Sequence, residues 1–524
     1  MRRVIFYPIL FVFYVILTPL VHNYGQVEPS QARQPLFLLL AATVVVLLLF
    51  YALFRDWQYS GYLIFLLLLF LFVPEQLGQV LQGWFPAYSA TVHTAALLVS
   101  GVILVLLALK GVWRRLGGAS KVTPALNFVL AVALVSQGMF ALPKLLEDVR
   151  QPAQQVNLPA LPSTGSPIDL DCSYRPDIYY IILDAYGRSD VLSSLYGTDN
   201  TPFLDFLKSK GFYVADQTHS NYIQTIYSIS SSLNFSYIPP EPEGASGLVY
   251  FTQRIADNRI MQALKSCGYQ TVAFQTDFGF TDHPDVDQYL SRGNGLNEFE
   301  NLLVGETPLA SWMDQLSSES SQFGYQAHRA EVLYTLDQLS ELPRQPGPKF
   351  VFAHIISPHP PFVFDAHGGH IQPNRSFSLA DGSDFQGTLQ EYHAGYSGQV
   401  QFIDQQIEKM VTDILARSQT PPIIILQGDH GPGGSLDWTS PERTCLYERT
   451  AILNAYYLPG QGASHLFPSI TPVNTFRVIL NAYFGSNLEL LPDKTYFTSA
   501  DLPRQVIDIT AERASMNNCP PPSP

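Results

Sequence analysis

Apolar residues are spread along this chain in two contrasting ways. Up to about residue 145 they form five long blocks, roughly 4–21, 35–54, 59–73, 91–109 and 125–142. Most approach the ~20 residues that an α-helix needs to cross ~30 Å of hydrocarbon. Beyond residue 145 the runs are short, and the periodicity switches back and forth. Strands are predicted over 177–184, 269–275, 349–357, 421–428 and 450–458, and helices over 201–211, 225–234, 257–267, 327–340, 391–417 and 472–483. This alternation predicts a doubly wound α/β sheet domain preceded by a five-helix transmembrane region. In the 391–417 segment, Tyr392, Tyr396, Val400, Ile403, Ile407, Met410, Val411 and Ile414 recur every three or four residues, a stripe that packs a helix onto a sheet.

Between the two regimes, residues 145–176 hold Pro152, Pro159, Pro162, Pro167 and Pro176 among Ser, Thr and Gln, a composition that reads as an extended linker. The organisation is then 1–144 transmembrane, 145–176 linker, 177–515 catalytic domain and 516–524 a Pro-rich disordered tail. An odd number of crossings puts the chain's ends on opposite sides. Arg2, Arg3, Arg55, Lys110, Arg114, Arg115 and Lys121 all fall on one face, whereas 74–90 has no Lys or Arg. The positive-inside bias therefore sets the N-terminus in the cytoplasm and everything after 145 outside it, in a multi-pass cell-membrane protein. A cleaved signal at 4–21 is the alternative for the first block, but bulky Thr18–His22 offers no small-residue cleavage pattern. The third block is short enough to be tilted or re-entrant.

Charge separates the regions as well. The chain is −14 overall although residues 1–125 are net positive, so the outer part is strongly acidic and has no Lys/Arg cluster. That excludes nucleic acid as a partner. Cys172, Cys267, Cys445 and Cys519 all lie outside, with no C-x-x-C spacing, and suit structural disulfides whose pairing spacing does not decide.

Three apolar runs end abruptly in acid or imidazole: Asp177–Asp184, the 349–357 strand leading into Ser357-Pro-His359-Pro-Pro361, and Ile423-Ile-Ile-Leu-Gln-Gly-Asp429-His430-Gly431. Ligands of open α/β sheets gather at the carboxyl ends of strands, so these groups are candidates for one shared site. Asp184 alone would also suit a turn. Asp429 and His430 are adjacent after an apolar strand, with Gly431 and Gly433 free to adopt unusual backbone angles, and suit a divalent cation held by oxygen and nitrogen. Thr225 opens a Ser-rich helix. It can cap that helix, or, with the free N–H groups and the positive dipole end around it, carry a phosphoryl or sulfuryl group. Metal coordination would make its hydroxyl a nucleophile. His354, inside the 349–357 strand, reads as a satisfied core residue, and His283, His367, His370 and His393 as loop or surface groups.

In this order, Ile181-Ile-Leu-Asp184, Thr225, Pro358-His359-Pro-Pro-Phe362 and Gly428-Asp429-His430-Gly431 resemble the alkaline phosphatase superfamily. The resemblance covers most of 176–460 as motif order and points to the sulfatase-like branch of lipoteichoic-acid synthases and lipid phosphoethanolamine transferases. That branch carries five membrane helices before an extracytoplasmic catalytic domain. It implies one Mn²⁺, Mg²⁺ or Zn²⁺ held by Asp184, Thr225, Asp429 and His430, with Thr225 as nucleophile and Ser228 as runner-up. His359 would contact the substrate phosphate or assist the leaving group. Arg449 stands where relatives place basic or imidazole groups near the phosphate; a surface ion pair is its plain alternative. Many synthases have Glu at the position of Asp184, and the Ser run after Thr225 is a further departure. No cysteine begins a C-x-P-x-R string and no Asp-x-x-x-His follows the linker, so formylglycine sulfatase chemistry and a two-zinc site are disfavoured. The expectation is a phosphoglycerol- or phosphoethanolamine-type transferase or phosphodiesterase, with a membrane lipid or lipid-linked donor, a surface glycan or lipid acceptor and a phospho-threonine intermediate. The alternatives are a sulfuric or phosphoric ester hydrolase of the same superfamily, or an inactive membrane-anchored scaffold with this fold.

Overall fold

The computed structural model describes residues 4–22, 29–73, 90–149, 168–238, 247–276, 278–292, 298–305, 307, 324–371, 373, 377–499 and 506–519. They fall into two compact units. One comprises Met1–Pro152, Gly295–Ala327 and Pro373–Phe377, and the other Ala153–Asn294, His328–Gln372 and Ser378–Pro524.

In the first unit each apolar block lies on a helix: Tyr7–His22, Arg33–Phe54, Trp57–Phe72, Ala90–Ala108 and Gly118–Val149. Arg33–Phe54 and Gly118–Met139 are long and apolar enough to cross a bilayer, with few side chains buried, whereas the apolar stretches Tyr7–Val21, Trp57–Phe72 and Ala96–Ala108 are shorter. Leu48, Val105, Phe128 and Val135 point outward. Such a wide apolar exterior is stable against hydrocarbon, not water. The N–H groups of Phe6 and Tyr7, left over at a helix start, donate to Asn127 Oδ1 at 3.1 and 2.9 Å, and the Asp56 side chain caps the Trp57–Phe72 helix. A helix from much later in the chain, Glu298–Gly305, buries Phe299 and Leu303 in the same cluster as Tyr7, Phe11 and Phe65.

The second unit is built on a seven-stranded sheet. Its strands are β1 Ile178–Leu183, β2 Tyr213–Val214, β3 Gln270–Phe274, β4 Gln288–Leu290, β5 Lys349–Ile355, β6 Ile423–Gln427 and β7 Asn454–Tyr457, in the order β2-β7-β6-β1-β5-β3-β4. A separate pair joins β8 Tyr496–Thr498 to β9 Val506–Asp508. Strands β6, β1, β5, β3 and β4 run parallel and β7 runs antiparallel to β6. The three central strands are buried throughout, which is why they read as unbroken apolar runs. Ile182 pairs with both His354 and Gln427, so β6, β1 and β5 end side by side.

Differences from the expected elements are local. The strand predicted over 450–458 begins only at Asn454. Before it, Leu446–Thr450 forms a helical turn in which the Glu448 N–H donates to Cys445 Sγ at 3.4 Å and the Thr450 hydroxyl donates back to Leu446 O at 2.8 Å. The two-residue β2 and three-residue β4 are too short to show a period. Residues 150–167, most of the stretch read as linker, and 520–524 of the tail lie outside the described residues. Ile168, Leu170 and Cys172 already pack on the apolar core of the second unit. Disulfides pair Cys172 with Cys267 and Cys445 with Cys519, closing separations of 95 and 74 residues. Each is worth about 4–5 kcal/mol in the chain-entropy account.

Candidate active site

The three strand ends deliver what the sequence placed there. Asp184 follows β1, and the chain turns away through Ala185 in the left-handed region (φ 62°). The Ala185 N–H donates to Asp429 Oδ1 at 3.1 Å, tying the end of β1 to that of β6. His430 Nδ1 lies 3.0 Å from its neighbour's carbonyl, Gly431 O. A carbonyl only accepts, so Nδ1 carries the proton and Nε2 presents its lone pair. Nε2 stands 3.6 Å from Asp184 Oδ1, 3.3 Å from Asp429 Oδ2 and 3.0 Å from Thr225 Oγ1.

Asp184 Oδ1 and Asp429 Oδ2 are buried and have no hydrogen-bond partner among the described residues. Together with His430 they bring one donor atom each within 4.8 Å of one another. Two buried carboxylate oxygens without compensation are costly, and an oxygen–oxygen–nitrogen set of this kind fits a divalent cation. Burial pushes the Asp184 carboxyl up, but His359, His354 and His430 outweigh it and hold the group below the usual carboxylate range. Burial, with help from Arg449, pushes the His430 imidazole down. Both directions suit ligation, which takes an ionised carboxylate and a neutral imidazole.

The glycines of this loop act by leaving space and not, as the sequence suggested, by backbone angle. Neither Gly431 nor Gly433 has positive φ. A Cβ on Gly431 would lie 2.1 Å from Glu448 O, and one on Gly433 2.4 Å from Asp381 Oδ2.

Thr225 is the first residue of the Thr225–Leu233 helix. Gln224 is the N-cap and makes no side-chain cap bond, so the Thr225 hydroxyl is turned to His430 instead of capping. Ser228, one turn on, donates to Tyr222 O at 2.9 Å and is thereby engaged with the backbone.

Arg449 is buried, unlike the surface ion pair that was its alternative reading. Its Nε donates to Ile223 O at 2.9 Å, Nη1 to Asp381 Oδ2 at 2.7 Å and to Gly431 O at 3.0 Å, and Nη2 lies 3.2 Å from His430 Nε2. Nε2 of His359, from the segment after β5, stands 3.8 Å from the same Asp381 oxygen. Burial raises the Asp381 carboxyl, but Arg449, His359 and His430 prevail and lower it. Asp381 was missed from sequence because it sits in a loop with no local pattern. Glu448 is also buried; its carboxylate accepts from Tyr196 OH and the Ser435 N–H, and burial pushes its pKa up to about 7.

The long helix Leu389–Arg417 does more than pack. Tyr392 OH donates to Asp381 Oδ1 at 2.8 Å and accepts from the Gly433 N–H at 2.7 Å. Tyr396 OH donates to Ala185 O at 2.7 Å and accepts from the Gly187 N–H at 3.0 Å. Gln399 holds His359 O at 3.0 Å. One helix therefore clamps the loops after β1, β5 and β6. His354 is buried with both ring nitrogens engaged, one by Asp184. His283, expected on a loop surface, is buried against Phe352, and His393 is half-buried, whereas His367 and His370 are exposed.

A family model described as Sulfatase matches residues 176–476. No curated protein matches the chain. Solved structures that resemble it include the C-terminal periplasmic domain of EcEptC from Escherichia coli, at 13% identity and TM-score 0.44, covering 66% of this chain and 96% of that one. Another is the integral membrane protein lipooligosaccharide phosphoethanolamine transferase A (EptA) from Neisseria meningitidis, at 12% identity and TM-score 0.38, covering 90% of this chain and 95% of that one. A third is the phosphonate monoester hydrolase of Agrobacterium radiobacter, at 13% identity and TM-score 0.40, covering 62% and 80%.

Proposed function

The chain belongs to the sulfatase family within the alkaline phosphatase superfamily, as a phosphotransferase or ester hydrolase, and from that premise we propose a membrane-anchored, metal-dependent phosphotransferase acting outside the cytoplasm. The observation that carries this reading is the pair of partnerless buried oxygens, Asp184 Oδ1 and Asp429 Oδ2, beside His430 Nε2, with Thr225 Oγ1 in contact with that nitrogen.

Asp184, Asp429, His430 and Thr225 would hold one Mn²⁺, Mg²⁺ or Zn²⁺. Bound there, the ion would acidify the Thr225 hydroxyl and neutralise charge on the phosphoryl group. Thr225 Oγ1 attacks phosphorus, a bond from Oγ1 to phosphorus forms, and the ester bond to the leaving alcohol breaks. The Thr225 hydroxyl gives up its proton to solvent as it ionises, and the leaving oxygen takes a proton from His359, which solvent then restores. Arg449, fixed by Asp381, would bind the transferred group's oxygens. The phospho-threonine is then displaced by a second hydroxyl. A glycan or lipid acceptor makes the enzyme a transferase of phosphoglycerol or phosphoethanolamine type; water makes it a hydrolase.

The five apolar blocks are read as five crossings that put residues after 145 on the outer face, and tethering to the bilayer favours a lipid-borne donor by effective concentration. The test is turnover of a chromogenic phosphodiester and of a phosphatidylglycerol analogue, with and without a glycan acceptor, by wild type and Thr225→Ala. Activity in wild type and loss in the variant are expected. Equal activity in both removes Thr225 from the reaction.

A further inference from the structure

The structure assigns to His354 and Thr281 the positioning of Asp184 for metal binding, an inference that rests on the cation site proposed above. His354 lies on β5 in register with Ile182, two residues before Asp184. Its Nε2 is 3.2 Å from Asp184 Oδ2 and its Nδ1 is 2.9 Å from Thr281 Oγ1. An ionised carboxylate only accepts, so the proton between them belongs to His354 Nε2. The Thr281 hydroxyl is fixed in turn by Phe278 O at 3.1 Å and by Thr276 Oγ1 at 3.0 Å. The Phe278 ring stacks on the imidazole at 6.0 Å between centroids and 18° between planes, and His354 and Thr281 are both buried.

The imidazole is thus held at both nitrogens and on one face. Its bond takes up Oδ2 of Asp184 and leaves Oδ1 as the atom without a partner, directed at His430 Nε2. His354 is not one of the three residues whose donor atoms face one another. The contribution of His354 and Thr281 is to fix which oxygen Asp184 offers and at what angle. Groups that orient a ligand in this way typically change metal affinity ~10–100-fold when removed.

The test is titration of metal-stripped, detergent-purified full chain with Mn²⁺ and with Zn²⁺ by calorimetry or a competing chromophoric chelator, with circular dichroism as the check on folding. His354→Phe keeps the ring but not the donor, and is expected to raise Kd by ~10–100-fold. His354→Gln, whose amide can donate in place of Nε2, is expected to stay closer to wild type, and Thr281→Val to fall between. Wild-type affinity in His354→Phe, or equal losses in the Gln and Phe variants, overturns the inference while leaving the cation site standing. Absence of binding in wild type overturns the cation site itself. Should His354→Phe not fold, Thr281→Val decides alone: weakened binding supports the assignment and unchanged binding refutes it.

Discussion

The two halves of the site are built on opposite electrostatic plans. On one side Asp184 Oδ1 and Asp429 Oδ2 crowd towards His430 with no hydrogen-bond partner among the described residues. On the other, Arg449 meets Asp381 at 2.7 Å and directs further N–H groups at two backbone carbonyls and His430. The acidic half leaves two buried oxygens without a hydrogen-bond partner among the described residues, whereas the basic half holds a buried ion pair. A buried charge that has its partner is a fixed part of the scaffold; one that lacks it marks where a ligand belongs.

The comparison breaks most sharply at Thr225, the proposed nucleophile. Thr225→Ala is expected to lower phosphoryl transfer by at least ~10³-fold, because residues acting as one catalytic unit lose nearly everything with any member; turnover of the chromogenic phosphodiester measures it. Opposite stability effects should follow in the two halves when charges are removed from metal-free protein. Asp381→Asn strands the Arg449 guanidinium and is expected to destabilise by about 3–5 kcal/mol, whereas Asp429→Asn relieves repulsion and should stabilise; urea unfolding reads both. Adding metal at ~100 times its Kd should then stabilise wild type by about 2.7 kcal/mol and leave Asp429→Asn unmoved.

A last effect, read as a slope against pH, concerns the helix that clamps both halves. Asp404, on its buried face, accepts from Tyr186 OH at 2.5 Å, and burial pushes its carboxyl up to about 8. Its folded pKa lies above the unfolded one, so the folded state keeps a proton that the unfolded chain releases. Stability is therefore fully present below about pH 4 and falls as pH rises towards 8, with a slope approaching ~1.4 kcal/mol per pH unit. Asp404→Asn should flatten that slope in thermal melts between pH 5 and 8.

What the sequence could reveal followed from how local each signal is. Asp184, Asp429 and His430 end apolar runs, so strand and candidate ligand are written in the same ten residues. Thr225 was legible as a helix start, but its choice over Ser228 depends on where each hydroxyl points. Asp381 acquires its role only from Arg449, 68 residues away, and no periodicity announces it. Tyr392 and Tyr396 were visible as members of an apolar stripe, yet their hydroxyls, which hold the loops, follow no rule of spacing. The 446–450 turn was hidden because helix and strand propensities hardly differ over five residues.

The central claim is that fragments hundreds of residues apart close around one cation, and anomalous diffraction from crystals of the protein soaked in Mn²⁺ or Zn²⁺ tests it most directly. A single peak bounded by Asp184 Oδ1, Asp429 Oδ2, His430 Nε2 and Thr225 Oγ1 is the expected result. Crystals with no peak there, or with the ion bound elsewhere, would contradict the account.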